Sequence, residues 1–147
     1  LKCYPTVAAI PDAIDLAVVT VPRDSVLGIV DQCLDQGVRG LVVITGCGHA
    51  GVVNLIEHAR TVVRPAPIHA LIGGIHLFNA SESTLTWTAG KLREFGLEHF
   101  IGAHCTGLET VYRFRRDLGL DRTRAVVGAT GAAFALGQGI DPGVLAK

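Results

Sequence analysis

Residues 39–51 read RGLVVITGCGHAG, an apolar strand-like run that breaks into a glycine-rich loop carrying a histidine. An amphipathic stretch over 52–63 follows, so the phrase is strand, loop and helix, the repeating unit of a parallel α/β fold. Working outward from it, the same succession recurs. His49 follows the run at 39–45, His76 follows IHALIGG (68–74) and His104 closes HFIGAH (99–104). The intervals from 49 to 76 and from 76 to 104 are 27 and 28 residues, the length of one strand, one helix and two loops. If these units wind as right-handed parallel crossovers, all three imidazoles emerge at the carboxyl edge of one sheet. In open α/β sheets that edge is where ligands bind.

The rest of the chain keeps the alternation. DLAVVTVP (15–22) is a near-continuous apolar strand stopped by Pro22. A helix from Asp24 or Ser25 to Gln36 places Val26, Ile29, Val30 and Cys33 on one face, with Gly37 as its carboxyl cap. RPAP (64–67) breaks the helix of 52–63. A further helix over 81–95 has Ser81 or Ser83 as cap and Gly96 as its end. Residues 108–118 form the last helix. Short strands at 125–128 and 132–136 flank a glycine-containing turn.

Composition narrows the function classes. Thirteen basic and thirteen acidic side chains balance, so no field steers the chain towards nucleic acid or an anionic membrane. The apolar runs are six or seven residues, where a membrane helix needs about twenty. Cys3, Cys33, Cys47 and Cys105 form no CxxC pair and read as free thiols of a reducing cytoplasm. The chain opens at Leu1 and holds no methionine, which suggests a segment trimmed upstream or a sequence assembled from parts.

The loop GCGHAG fits G-x-G-x-x-G between strand and helix, with Gly46, Gly48 and Gly51 at the glycine positions. Such glycines let a pyrophosphate approach a helix amino terminus. The pattern also asks for an acidic residue about twenty positions on. The chain has Gly73, Gly74 and His76 there and no acid between Glu57 and Glu82, so the loop is better explained by His49.

Two resemblances meet in the 39–45 strand. LVVITGCGHAGVVNLIEHA (41–59), LIGGIHL (71–77), AHCTG (103–107) and VVGATGAAFALGQGI (126–140) resemble the carboxyl half of metallo-β-lactamase-fold hydrolases. The branch is the dihydropterin-aminobenzene-phosphate synthase-like one. That resemblance implies metal ligands at His49 and His104, with His76 where related enzymes place a bridging ligand. Residues 1–45 instead resemble the CoA-binding domain of NDP-forming acyl-CoA synthetases, in the phrase CYPTVAAIPDAIDLAVVTVP and the helix and strand after it. The chemical parts of both families are missing: no HxH motif occurs, and the phosphate loop would precede Leu1.

The expected architecture is one α/β domain over 1–147, a mainly parallel sheet with helices on both faces, a flavodoxin-like or Rossmann-like three-layer sandwich. A half metallo-β-lactamase sandwich is the second choice. The expected function is that of a chimeric, recombinant or engineered binding or structural protein without established catalysis. It keeps a partial site for zinc or manganese at His49, His76 and His104, held weakly, and CoA is not expected to bind tightly. One alternative is a metal-dependent hydrolase completed by a missing half. The other is a CoA or nucleotide binder using Gly46, Gly48 and Gly51. A homodimer or a complementary half-domain is the expected partner. Cys47 and Cys105 could ligate zinc but read first as small packing groups. His58, His69 and His99 read as ordinary surface or core histidines, Arg113, Arg115 and Arg116 as a solvated face, and Trp87 and Phe95 as core anchors.

Overall fold

The computed structural model describes residues 2–18, 25–38, 40–42, 44 and 46–144. The chain divides into two compact units, residues 1–45 with 58–65, and residues 46–57 with 66–147.

In the first unit β1 (Leu16–Val18) and β2 (Gly40–Val42) run parallel, with Leu16 opposite Gly40 and Val18 opposite Val42. Parallel neighbours need a crossover, and α1 (Val26–Asp35) lies between them in sequence. Val30 and Cys33, one helical turn apart, are buried. The amides of Gly37 and Val38 donate to the carbonyls of Leu34 and Cys33, closing the helix as its glycine suggested. Gln32 Oε1 accepts from the Val7 amide at 3.2 Å, tying α1 to a 3-10 turn at Val7–Ala9. Of the strand expected over 15–22, residues 19–22 lie outside the described residues, as do Asp24, Arg39, Val43 and Thr45.

The helix α2 (Val52–Val62) begins in the second unit and ends in the first. The second unit continues with β3 (Ala70–Gly73), α3 (Glu82–Glu94), β4 (His99–Gly102), α4 (Leu108–Leu118) and β5 (Ala125–Val127). These three strands form a parallel sheet in the order β3-β4-β5, each pair joined through a helix. Ser81 is the cap of α3: its hydroxyl accepts from the Thr84 amide at 3.2 Å. Glu82 in the first turn and Lys91 and Arg93 in the last complement the helix dipole.

One face of this sheet is the core. Phe100 and Ala125, neighbours in register, point to Val52, Val53 and Ile56 of α2, Leu85, Ala89 and Leu92 of α3, and Val111 and Phe114 of α4. Phe100 and Phe114 are fully buried with ring centroids 5.4 Å apart. Truncating either to alanine is expected to cost about 3–5 kcal/mol. Ile101 and Val126, the alternate residues, are also buried.

The protein is thus α/β and Rossmann-like, with parallel strands linked by helices. Among the described residues the parallel strands form a pair and a triplet. The short strands expected about a glycine-containing turn are β5 and β6 (Ala133–Ala135); β5 pairs with β4, and β6 pairs antiparallel with β7 (Gly139–Asp141). A three-residue strand containing glycine leaves no alternation to read.

The arginines of α4 are not a merely solvated face. Arg115 donates from Nε and a terminal nitrogen to the Ala125 carbonyl at 2.9 and 2.6 Å. Arg113 pairs with Glu82, Thr86 and Asp117, joining α3 to α4, while Arg116 pairs with Asp117. No helix among the described residues is long and apolar enough to cross a membrane.

Candidate functional site

The glycine loop reaches the site by close packing. Gly48 is buried, and a Cβ there would stand 3.4 Å from Ile75 Cα, so the loop lies directly on the segment leaving β3. Gly46 has open space at that position. The Gly51 amide donates to the Gly48 carbonyl at 2.8 Å, and the turn sets His49 beside His76 with ring centroids 4.2 Å apart. His76 in turn meets the edge of Phe78 at 5.6 Å.

His76 and His104 follow β3 and β4 of one parallel sheet, at its carboxyl edge. They are the two non-glycine residues with positive φ among the described residues, 52° and 51°. The left-handed region costs an L-residue on the order of 1–2 kcal/mol. Such conformations persist where the surroundings fix them, and they cluster at functional sites. Here the surroundings are the two loops, which are laced together. Ala103 donates its amide to the Gly73 carbonyl at 3.0 Å, and the amides of Leu77 and Phe78 both reach the Cys105 carbonyl, at 3.1 and 3.2 Å. Thr106, fully buried, accepts from the Ile75 amide at 3.3 Å and donates to Gly73 at 3.0 Å. Gly74 makes the approach possible, because a Cβ on it would lie 3.0 Å from Cys105 Sγ and 3.3 Å from His104 Cβ.

The three histidines divide between two groupings. His49 and His76 face each other. His104 stands with the cysteines: its Nδ1 is 3.6 Å from Cys47 Sγ, and the ligand atoms of Cys47, His104 and Cys105 all lie within 4.8 Å of one another. Two thiolates and one imidazole fit zinc, with a fourth position for water. Those two cysteines, read first as packing groups, are half-buried and stand beside His104 in this cluster. Their sequence signal is adjacency to the histidines in GC-x-H and HC. Burial pushes the Cys47 thiol up, and nearby Cys105 adds to the shift.

His49 and His76 also line an open cleft, together with the first turn of α2 and with Thr84 and Trp87 of α3. No acidic side chain occupies that turn of α2, so the positive end of the helix meets the cleft without a neutralising carboxylate. Trp87 is 55% exposed, whereas Phe95 is buried. The tryptophan is thus a cleft residue, not the core anchor that its place in an amphipathic helix suggested. Thr106 is a residue that sequence reasoning passed over, and Trp87 one that it placed in the core.

Comparison with known proteins returns relatives of two kinds, in line with the two resemblances. Residues 1–70 match the family model of the CoA binding domain. Over 103 residues, 69% of this chain, the protein is 30% identical to acetate–CoA ligase (ADP-forming) II of Archaeoglobus fulgidus. A 65-residue stretch, 44% of this chain, is 44% identical to the acetate–CoA ligase (ADP-forming) of Methanocaldococcus jannaschii, 9% of that protein. Over 90 residues, 61% of this chain, it is 28% identical to 7,8-dihydropterin-6-methyl-4-(beta-D-ribofuranosyl)-aminobenzene-5'-phosphate synthase of the same organism. The chain spans 31% of that synthase and 15% of the A. fulgidus ligase.

Proposed function

We propose that this chain is a CoA-binding module, and that the phosphate-bearing end of CoA enters the cleft at the amino end of α2. The observation that carries this reading is the meeting of His49, His76 and Trp87 with an acid-free helix terminus in one cleft. Helix amides and imidazole N–H groups donate to phosphate oxygens. The indole of Trp87 offers a face on which adenine stacks. The match of residues 1–70 to the CoA binding domain supports the ligand class. Two families on one chain support its being a composite of both.

Calorimetric titration with CoA, 3′-dephospho-CoA and pantetheine tests the reading. CoA is expected to bind weakly, dephospho-CoA more weakly, and pantetheine not at all. Pantetheine binding as well as CoA, or no heat from CoA at millimolar concentration, overturns it.

A second reading is favoured by the Cys47–His104–Cys105 cluster, whose ligand atoms already lie within 4.8 Å. On this reading the edge would take a zinc ion, which thiolates select over manganese. Zinc bound to the folded state alone raises stability by RT ln(1 + [L]/Kd). A zinc-dependent rise in melting temperature that Cys105→Ser abolishes is the expected result. An unchanged rise in that variant removes the reading.

A further inference from the structure

At the opposite, amino-terminal edge of the parallel sheet lies a second group of metal-ligating side chains. His69 precedes β3 and His99 opens β4, and the register that pairs Ala70 with His99 sets them side by side. Their rings stand 5.0 Å apart, edge to face. Glu98 completes the group, with its Oε2 at 2.6 Å from His69 Nδ1. The ligand atoms of His69, Glu98 and His99 all fall within 4.8 Å of one another. We propose that these three residues form a surface site for a borderline transition-metal ion such as zinc or cobalt, separate from the histidines and cysteines at the other edge.

Three features make this more than proximity. The His99 Nδ1 lies 3.3 Å from the His69 carbonyl, and a carbonyl only accepts. That nitrogen therefore carries the proton, and Nε2 keeps the lone pair that a metal takes. Metal-binding histidines are commonly oriented in this way, with the far N–H on a backbone carbonyl. Second, the 2.6 Å contact already brings His69 Nδ1 and Glu98 Oε2 together, and a small widening of it admits an ion bound by both atoms. Third, Phe134 of β6 packs edge-on against both rings, at 5.7 Å from His69 and 5.5 Å from His99. That contact restrains both imidazoles. Two imidazoles and one carboxylate are a ligand set that zinc and its neighbours accept, with the remaining positions left to water.

Cobalt(II) titration of the whole chain tests the proposal, because the spectrum separates the two edges. An ion on His69, Glu98 and His99 gives ligand-field bands without thiolate-to-metal charge transfer. An ion on Cys47 and Cys105 gives that charge-transfer band. The expected result is a thiolate-free component whose affinity falls at least roughly tenfold in Glu98→Gln and His99→Gln. His99→Gln retains an amide that can donate to the His69 carbonyl, so loss of the ion there is not loss of the strand. Circular dichroism of both variants is expected to match the parent. Cobalt uptake that carries the thiolate band throughout, an unchanged thiolate-free component in both variants, or no uptake overturns the proposal. None of these outcomes touches the CoA titration, which reads the other edge of the sheet.

Discussion

The imidazoles of His49 and His76 lie with ring centroids 4.2 Å apart, although 27 residues separate them in the chain. Two backbone features bring them together. Gly48 lets its loop lie on Ile75, and His76 itself adopts a left-handed φ of 52°. The pair is therefore held by the fold rather than by any bond between the rings.

That φ makes a testable difference between two truncations. His76→Ala keeps a Cβ in the left-handed region, whereas His76→Gly removes the clash at the expense of about 0.5–1 kcal/mol of unfolded-state entropy. Urea melts are expected to place the glycine variant above the alanine variant by roughly 1 kcal/mol. Equal or reversed stabilities are incompatible with a left-handed His76.

Thr106→Val changes little in shape but removes the hydroxyl that bridges the two loops. The Ile75 amide then loses its partner, while the Gly73 carbonyl keeps the Ala103 amide. A buried donor left alone costs about 1–3 kcal/mol. Chemical denaturation should show a loss in that range, and Thr106→Ser should recover most of it. A valine variant as stable as the parent denies the hydroxyl its bridging role.

Zinc binding at Cys47, His104 and Cys105 should depend on pH in one direction. The Cys47 thiol is held above its ordinary value by burial and by Cys105, so it is protonated at neutral pH and must release that proton to solvent when the ion binds. Affinity is expected to rise with pH through the neutral and alkaline range, and Cys47→Ser should flatten the dependence. A zinc affinity that falls with pH, or that keeps its slope without the thiol, contradicts the assignment.

Much of this was legible in the chain. The recurrence of strand, loop and histidine placed His76 and His104 after β3 and β4, and the capping residues Gly37 and Ser81 marked helix ends that the structure keeps. Register was not legible. Three-residue strands such as β5 and β7 carry too few residues to show which neighbour they choose, so the hairpin of β6 and β7 went unseen. The face of Trp87 was not legible either. Helical spacing places it in an amphipathic stretch but does not say which side the sheet covers. His69 and His99 looked unrelated because 30 residues separate them. Only the parallel pairing of β3 with β4 makes them neighbours.

Trp87 is the single tryptophan of the chain, so its emission reports the cleft alone. The most direct test of CoA binding there is a fluorescence titration of the parent and of a His49→Ala, His76→Ala double variant, run beside calorimetry. A saturable change in Trp87 emission that follows the calorimetric isotherm, with affinity reduced roughly tenfold or more in the double variant, is the predicted result. CoA heat with unchanged Trp87 emission, or an emission change that the double variant keeps in full, contradicts binding in this cleft.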